Sequence, residues 1–207
     1  MSNTEVYAGG LLNRALDPAT QPAAIQEFLR TELDVLRESI QQGMRVVDVG
    51  CGTGRHLLLL RDRVGLGVGV DYERSYLAEA CRRAGGHPLH FVTGDASAIP
   101  LKASFDVAVC LTNTWGTMSD KGGVLAEMRR LAPRPGSRII SVYSPGSISA
   151  RREWYSRLGH NISEETHEYL ATDGGFRSEH FSESRLRGLI GTCTIHPLTT
   201  VAYVVTF

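Results

Sequence analysis

The stretch Arg45–Leu60, RVVDVGCGTGRHLLLL, constrains the fold more than any other part of the chain. Apolar, β-branched residues flank Asp48, the pattern of a strand covered on both faces. Three glycines follow at alternate positions, Gly50, Gly52 and Gly54, and a run of leucines begins at Leu57. Strand, glycine turn and helix in that order bring backbone N–H groups, bare of side chains, up to a ligand. The spacing narrows the choice of ligand. A phosphate-binding P-loop needs GxxxxGK[ST], and its lysine and hydroxyl are missing here. A dinucleotide loop needs GxGxxG, but the third glycine position holds Arg55. Asp48, two residues ahead of the first glycine, would repel a pyrophosphate and suits a ligand that presents a positive group.

On either side of this turn, helix and strand patterns alternate. An amphipathic helix is predicted over 21–42, with Ile25, Phe28, Leu29, Leu33, Leu36 and Ile40 on one stripe and Gly43 as its stop. Strands are predicted over 46–49, 66–71, 89–95, 105–113 and 137–144. Helices are predicted from about Arg55, over 75–84 and over 124–132, the second ending at Gly85–Gly86 and the third at Pro133. Strand and helix at this spacing imply right-handed crossovers and a parallel, doubly wound sheet. Residues 192–207 hold two strand-like runs with almost nothing between them, which requires an antiparallel pair. Residues 145–188 break the alternation and hold much of the aromatic and histidine content; a helical or mixed insertion is expected there.

Composition excludes some classes and leaves others. The 22 Lys+Arg balance 22 Asp+Glu, so no nucleic-acid partner relying on a basic face is expected. No apolar run is long enough to span a bilayer, and MSNTEVYAGG lacks a secretory pattern, so a cytoplasmic protein with no membrane partner is expected. Cys51, Cys81, Cys110 and Cys193 lie far apart and read as reduced thiols. Seven scattered histidines without an HExxH motif indicate no metal. A monomer or a homodimer is expected.

DVGCGTG, with the strands that follow it, resembles motif I of the class I S-adenosylmethionine (SAM)-dependent methyltransferases, and the resemblance covers roughly residues 30–145. SAM has no phosphate; it carries a protonated amine and a sulfonium. The resemblance implies an α/β, three-layer, doubly wound, Rossmann-like fold. Its seven-stranded, mostly parallel sheet would have the order 3-2-1-4-5-7-6, with strand 7 antiparallel. It implies one domain over 1–207: a helical cap (1–43), a cofactor-binding core (44–144), a substrate-cover insertion (145–188) and a closing strand pair (189–207). It also implies that Asp48, Gly50, Cys51, Gly52, Gly54 and Leu111 surround SAM. Asp71 would accept from the ribose hydroxyls, Tyr72 would flank the adenine, and Asp95 with the Ala96 N–H would read the adenine edge. Tyr7 would fold over the cofactor as a lid. S-adenosylhomocysteine (SAH) would be the product.

Methyl transfer from a sulfonium is an in-line displacement, so the protein aligns the acceptor and excludes water. CLTNTWGTM (110–118), at the end of the fourth strand, is expected to face the transferred methyl. Asn113–Thr114 is similar to an Asn–Ser pair in glycine N-methyltransferase-like enzymes, which leans the acceptor towards an amine or amino-acid nitrogen. Asn113 is expected to orient that nitrogen and His180 to serve as a base. Trp115, Trp154, Tyr155 and Tyr169 are candidate acceptor walls, and Arg177 a candidate fork for a carboxylate. A small-molecule acceptor from natural-product or secondary metabolism is the preferred class. O-methylation, a peptide or protein acceptor, and silent SAM binding are the alternatives.

Overall fold

The computed structural model describes Asn3 and residues 14–207. The main sheet has seven strands in the order β3-β2-β1-β4-β5-β10-β9. These are β1 (Arg45–Val49), β2 (Leu66–Asp71), β3 (Leu89–Thr93), β4 (Val107–Cys110), β5 (Arg138–Tyr143), β9 (Thr194–Thr199) and β10 (Ala202–Thr206). Strands β1 to β5 are parallel, and β10 runs antiparallel to both β5 and β9. With β9 and β10 as sixth and seventh strands, this is the expected order.

The period of two along each central strand builds two cores. Val47, Val49, Ala108, Cys110 and Ile140 face one layer, with α4 (Lys121–Leu131) and α6 (Glu183–Ile190). Val46, Val107, Val109 and Ile139 face the other, with α1 (Ala23–Ser39) and α2 (Arg55–Leu59). Burial of both faces is why β1, β4 and β5 read as apolar runs rather than as alternations. Helix α3 (Arg74–Ala84) starts where Glu73 accepts the Ser75 N–H and stops at left-handed Gly85. Strand β2 passes close to the glycine turn: a Cβ on Gly69 would sit 2.6 Å from Cys51 Sγ.

The insertion is mixed, as expected. It contains α5 (Ile148–Arg157) and a separate antiparallel sheet of β6 (Ile162–Glu165), β7 (Tyr169–Thr172) and β8 (Arg177–Glu179). Its aromatic residues join the cap helix in a third core of Ile25, Phe28, Tyr143, Trp154, Tyr155 and Phe176.

Two differences from the sequence reading bear on the site. The fourth strand ends at Cys110, short of residue 113, because Thr112 (φ 53°) and Asn113 (φ 58°) are left-handed and cannot continue a strand. The apolar stripe of α1 is interrupted by Glu32, which is 2% exposed.

Candidate active site

The carboxyl ends of β1, β2 and β4, the turn after β3 and the inner side of the insertion enclose one cleft of about 1160 Å³. This is the crevice that a doubly wound sheet opens where its strand order reverses, between β1 and β4. Gly50, Gly52, Asp71, Tyr72, Asp95 and Ala96 line one part of it, and Tyr143, Trp154, Tyr155, Phe176 and Arg177 another. Asn3 joins the lips: Nδ2 donates to the carbonyls of Thr117 and Arg177, each at 2.7 Å, and Oδ1 accepts the Arg177 N–H. Tyr7, the expected lid residue, lies outside the described residues.

The glycine turn is left-handed at Gly50, Gly52 and Gly54, which explains its glycine content. A Cβ on Gly50 would collide with the Thr114 methyl, and one on Gly54 would lie 2.7 Å from the Phe91 ring. Asp71 Oδ2 accepts the Gly52 N–H at 2.8 Å, and Oδ1 accepts the Glu73 N–H at 3.0 Å. A carboxylate has about four lone-pair sites, so hydroxyl donors retain a place on it. Burial raises the Asp71 pKa, and the N–H groups of Glu73 and Gly52 oppose that shift. Asp95 is exposed; its Oδ1 takes both the N–H and the hydroxyl of Ser97, which hold its carboxyl below the usual range.

Behind this wall runs a buried polar chain that the sequence reading missed. Glu32 Oε1 accepts the Thr112 N–H at 2.7 Å and the Ser141 hydroxyl, and Oε2 accepts the Thr112 hydroxyl at 2.9 Å. His56 sits between two carboxylates, with Nε2 2.9 Å from Glu32 Oε2 and Nδ1 3.9 Å from Asp48 Oδ2. Burial alone would raise Glu32; His56, Ser141 and Arg55 outweigh it and hold the carboxyl at about 2. Burial pushes Asp48 up to about 6 against the pull of His56, and Oδ2 has no hydrogen-bond partner among the described residues. A signal for Glu32 was available: positions 25, 28, 29, 32 and 36 share one helical face, so a charge at 32 falls inside an apolar stripe.

Several expected site residues lie behind the cleft wall instead of on it. Asp48 and Cys51 are buried beneath the turn, and Gly54 caps the short α2 against Phe91. Leu111 packs in the core under α1. Trp115 is fully buried, stacked on Phe181 at 5.1 Å with its N–H on the Lys121 carbonyl. The Tyr169 hydroxyl donates to Glu164 at 2.6 Å, and the Arg177 guanidinium lies over its ring at 3.7 Å. His180 is 1% exposed, and burial together with Arg151 drives it down to about 4, so it is a neutral core group without access to the cleft. Asn113 does line the cleft, but its amide is a clamp. Oδ1 accepts the Tyr143 N–H, and Nδ2 donates to Ser178 Oγ and the Glu179 carbonyl. It ties β4 to β5 and β8, which is why its left-handed backbone is held.

The residues present suit a cationic nucleoside without phosphates. The turn offers bare backbone at Gly50 and Gly52, with Asp71 and Asp95 on the same wall and no lysine or arginine among the residues lining that part of the cleft. A buried carboxylate with an unpartnered oxygen, Asp48, lies directly beneath. The described residues contain no cluster of side chains able to hold a metal, and no described helix is long and apolar enough to cross a membrane.

A family model described as a methyltransferase domain matches residues 46–136. The chain is 33% identical over 132 residues to O-methyltransferase cnsE of Penicillium expansum, covering 60% of this chain and 47% of that protein. It is 25% identical over 207 residues to dTDP-3-amino-3,4,6-trideoxy-alpha-D-glucopyranose N,N-dimethyltransferase of Streptomyces venezuelae, covering 90% and 83%. The chain spans about half the length of several of the curated relatives it matches. In fold it is similar to an S-adenosylmethionine-dependent methyltransferase from Clostridium acetobutylicum, with a TM-score of 0.61 at 15% identity over 88% of this chain and 91% of that one.

Proposed function

We propose that the chain is a class I SAM-dependent methyltransferase, a reading supported by the methyltransferase-domain model over residues 46–136, and that it methylates a small-molecule acceptor, an amine or amino-acid nitrogen in secondary metabolism. The observation that carries this reading is the single cleft, in which the glycine turn with Asp71 and the aromatic wall of the insertion share one space. SAM supplies an electrophilic methyl on a sulfonium, which needs no activation beyond alignment. Gly50 and Gly52 would hold it through backbone groups, and Asp71 and Asp95 through hydroxyl and amino donors. Asn113 keeps Thr112–Thr114 in the shape that floors the cleft, and Tyr143, Trp154, Tyr155 and Phe176 orient the acceptor and exclude water.

The nitrogen reading is supported by the Streptomyces relative, whose name is that of an N,N-dimethyltransferase and which aligns over most of both chains. The Asn113 amide no longer adds to it, because its groups are engaged within the protein. Oxygen is the second reading, supported by the name of the Penicillium relative. Proton removal falls to solvent at the cleft mouth in either case. Glu179 lines the cleft, but Lys121 and Arg185 bond its carboxylate at 2.7 and 2.6 Å and keep it below its ordinary pKa despite burial. The test is incubation with SAM labelled in its methyl group and a small-molecule cell extract, followed by mass spectrometry. A small molecule labelled on an amine or amino-acid nitrogen is expected. Label confined to protein, or SAH bound without any labelled product, overturns the reading.

A further inference from the structure

The acceptor side of the cleft holds positive charge that nothing described neutralises. Arg151, on α5, is 0% exposed. Its guanidinium donates to the Ser178 carbonyl at 2.5 Å, lies 3.2 Å from His180 Nδ1, and reaches the Ser147 and Tyr155 hydroxyls at 3.5 and 3.4 Å. It sits 4.7 Å from the Tyr143 ring centroid and 5.7 Å from that of Tyr155. These partners satisfy donors, but all are neutral. Most acids of the insertion pair elsewhere: Glu153 with Arg157, Glu165 with Arg152, Glu168 with Arg185, Glu179 with Lys121 and Arg185, and Glu183 with Arg187, while Glu164 accepts the Tyr169 hydroxyl and Asp173 the Asn161 amide. A buried guanidinium without an anion is costly, and ring faces and carbonyls offset only part of that cost. Two further observations point the same way. Arg177 lines the cleft, stacks on Tyr169, and pairs with no described carboxylate. Trp154 lines it as well, and its buried indole N–H has no acceptor among the described residues.

Resting on the methyltransferase reading above, we infer that this cleft takes an acceptor bearing a carboxylate on an apolar or aromatic body. The body lies against Tyr143, Tyr155 and Phe176. The carboxylate answers the charge of Arg151 behind the rings and of Arg177 at the lip. An amino or hydroxy acid fits this description, and a plain amine does not.

The test uses two probes with one body and opposite charge, 4-hydroxyphenylacetate and tyramine. Each is titrated by calorimetry into the full chain saturated with SAH. The acid is expected to bind at least about tenfold more tightly than the amine, the scale of one screened charge pair in a partly buried cleft. Arg151→Met should abolish that preference, Arg177→Ala should reduce it, and Arg151→Lys should retain part of it, all with SAH affinity unchanged. Equal or tighter binding of the amine, binding of neither probe, or a preference that survives Arg151→Met overturns the inference. Should Arg151→Met not fold, an undiminished preference in the exposed-site variant Arg177→Ala overturns it equally. Failure of SAH itself to bind overturns the methyltransferase reading instead, so the two failures are distinguishable.

Discussion

The wall around the glycine turn and the wall made by the insertion treat charge in opposite ways. Behind the turn, buried charges of both signs lie together: Glu32, His56, Asp48 and Arg55 form one linked set, and Glu32 alone fastens α1 to Thr112 and Ser141, while Asp48 keeps one oxygen without a hydrogen-bond partner among the described residues. Behind the aromatic wall, Arg151 is buried among neutral described partners, and His180 and Trp154 each keep a buried nitrogen without a partner among the described residues. The first wall sets acids against bases within itself. The second holds a buried cation with no carboxylate beside it among the described residues. A cofactor used in every turnover favours a rigid, internally satisfied cradle, whereas selection of one acceptor uses groups held ready to pair.

Glu32→Ala should break the contrast most severely, since it strands Thr112 and His56 inside the protein. A loss of about 3–5 kcal/mol in urea unfolding is expected, on the scale of breaking a buried charged network. A loss below 1 kcal/mol would mean that the chain carries no more than an exposed ion pair. Glu32→Gln, which keeps most of the hydrogen bonds, should cost less than half as much.

Asp71→Ala sharpens the ligand side of the comparison. Calorimetry should show SAH binding weakened by about 1.5–3 kcal/mol, the scale of lost charge-assisted hydrogen bonds, with little loss of fold stability. Unchanged affinity would remove Asp71 from the site.

The pH dependence of folding compares the two walls directly. Asp48 titrates at about 6 when folded against 3.8 ordinarily, so the folded chain holds its proton longer and stability from this group falls as pH rises. His180 titrates at about 4 when folded against 6.5 ordinarily, so the unfolded chain binds more protons and stability from this group rises with pH. The two oppose each other from about pH 4 to 6. His180→Gln should therefore turn that limb downward, so that the variant is easier to unfold at the upper end than at the lower. A limb that still rises would show that His180 does not supply the opposing slope.

The smallest effect is expected at Trp154→Phe, which removes the unpartnered N–H and trades the fused indole for a smaller ring. Stability should fall by about 1–2 kcal/mol from lost packing, because no hydrogen bond inside the described protein is lost. A drop above about 3 kcal/mol in thermal unfolding would reveal an internal partner for that nitrogen.

Much of this molecule was legible before any coordinates. The glycine turn, the five parallel strands and the short link that forces β9 and β10 to be antiparallel follow from local patterns, because strand, turn and helix each leave their own period in the chain. The left-handed end of β4 was not legible: Thr112 and Asn113 are ordinary strand-end residues in sequence, and their conformation depends on Glu32 and Tyr143, 80 and 30 positions away. Glu32 was half legible, a charge inside an apolar stripe whose partners the stripe does not name.

Sequence by itself determined the sheet, its order through the family resemblance, and the side on which a cationic nucleoside would be received. Tertiary structure alone decided which side chains reach the cleft. It withdrew Asp48, Trp115 and His180 behind the wall, engaged the Asn113 amide, and buried Arg151 with no carboxylate beside it among the described residues. The physical reason is one of range. Periodicity and turn chemistry act over a few residues, whereas burial and charge pairing depend on groups brought together from distant parts of the chain.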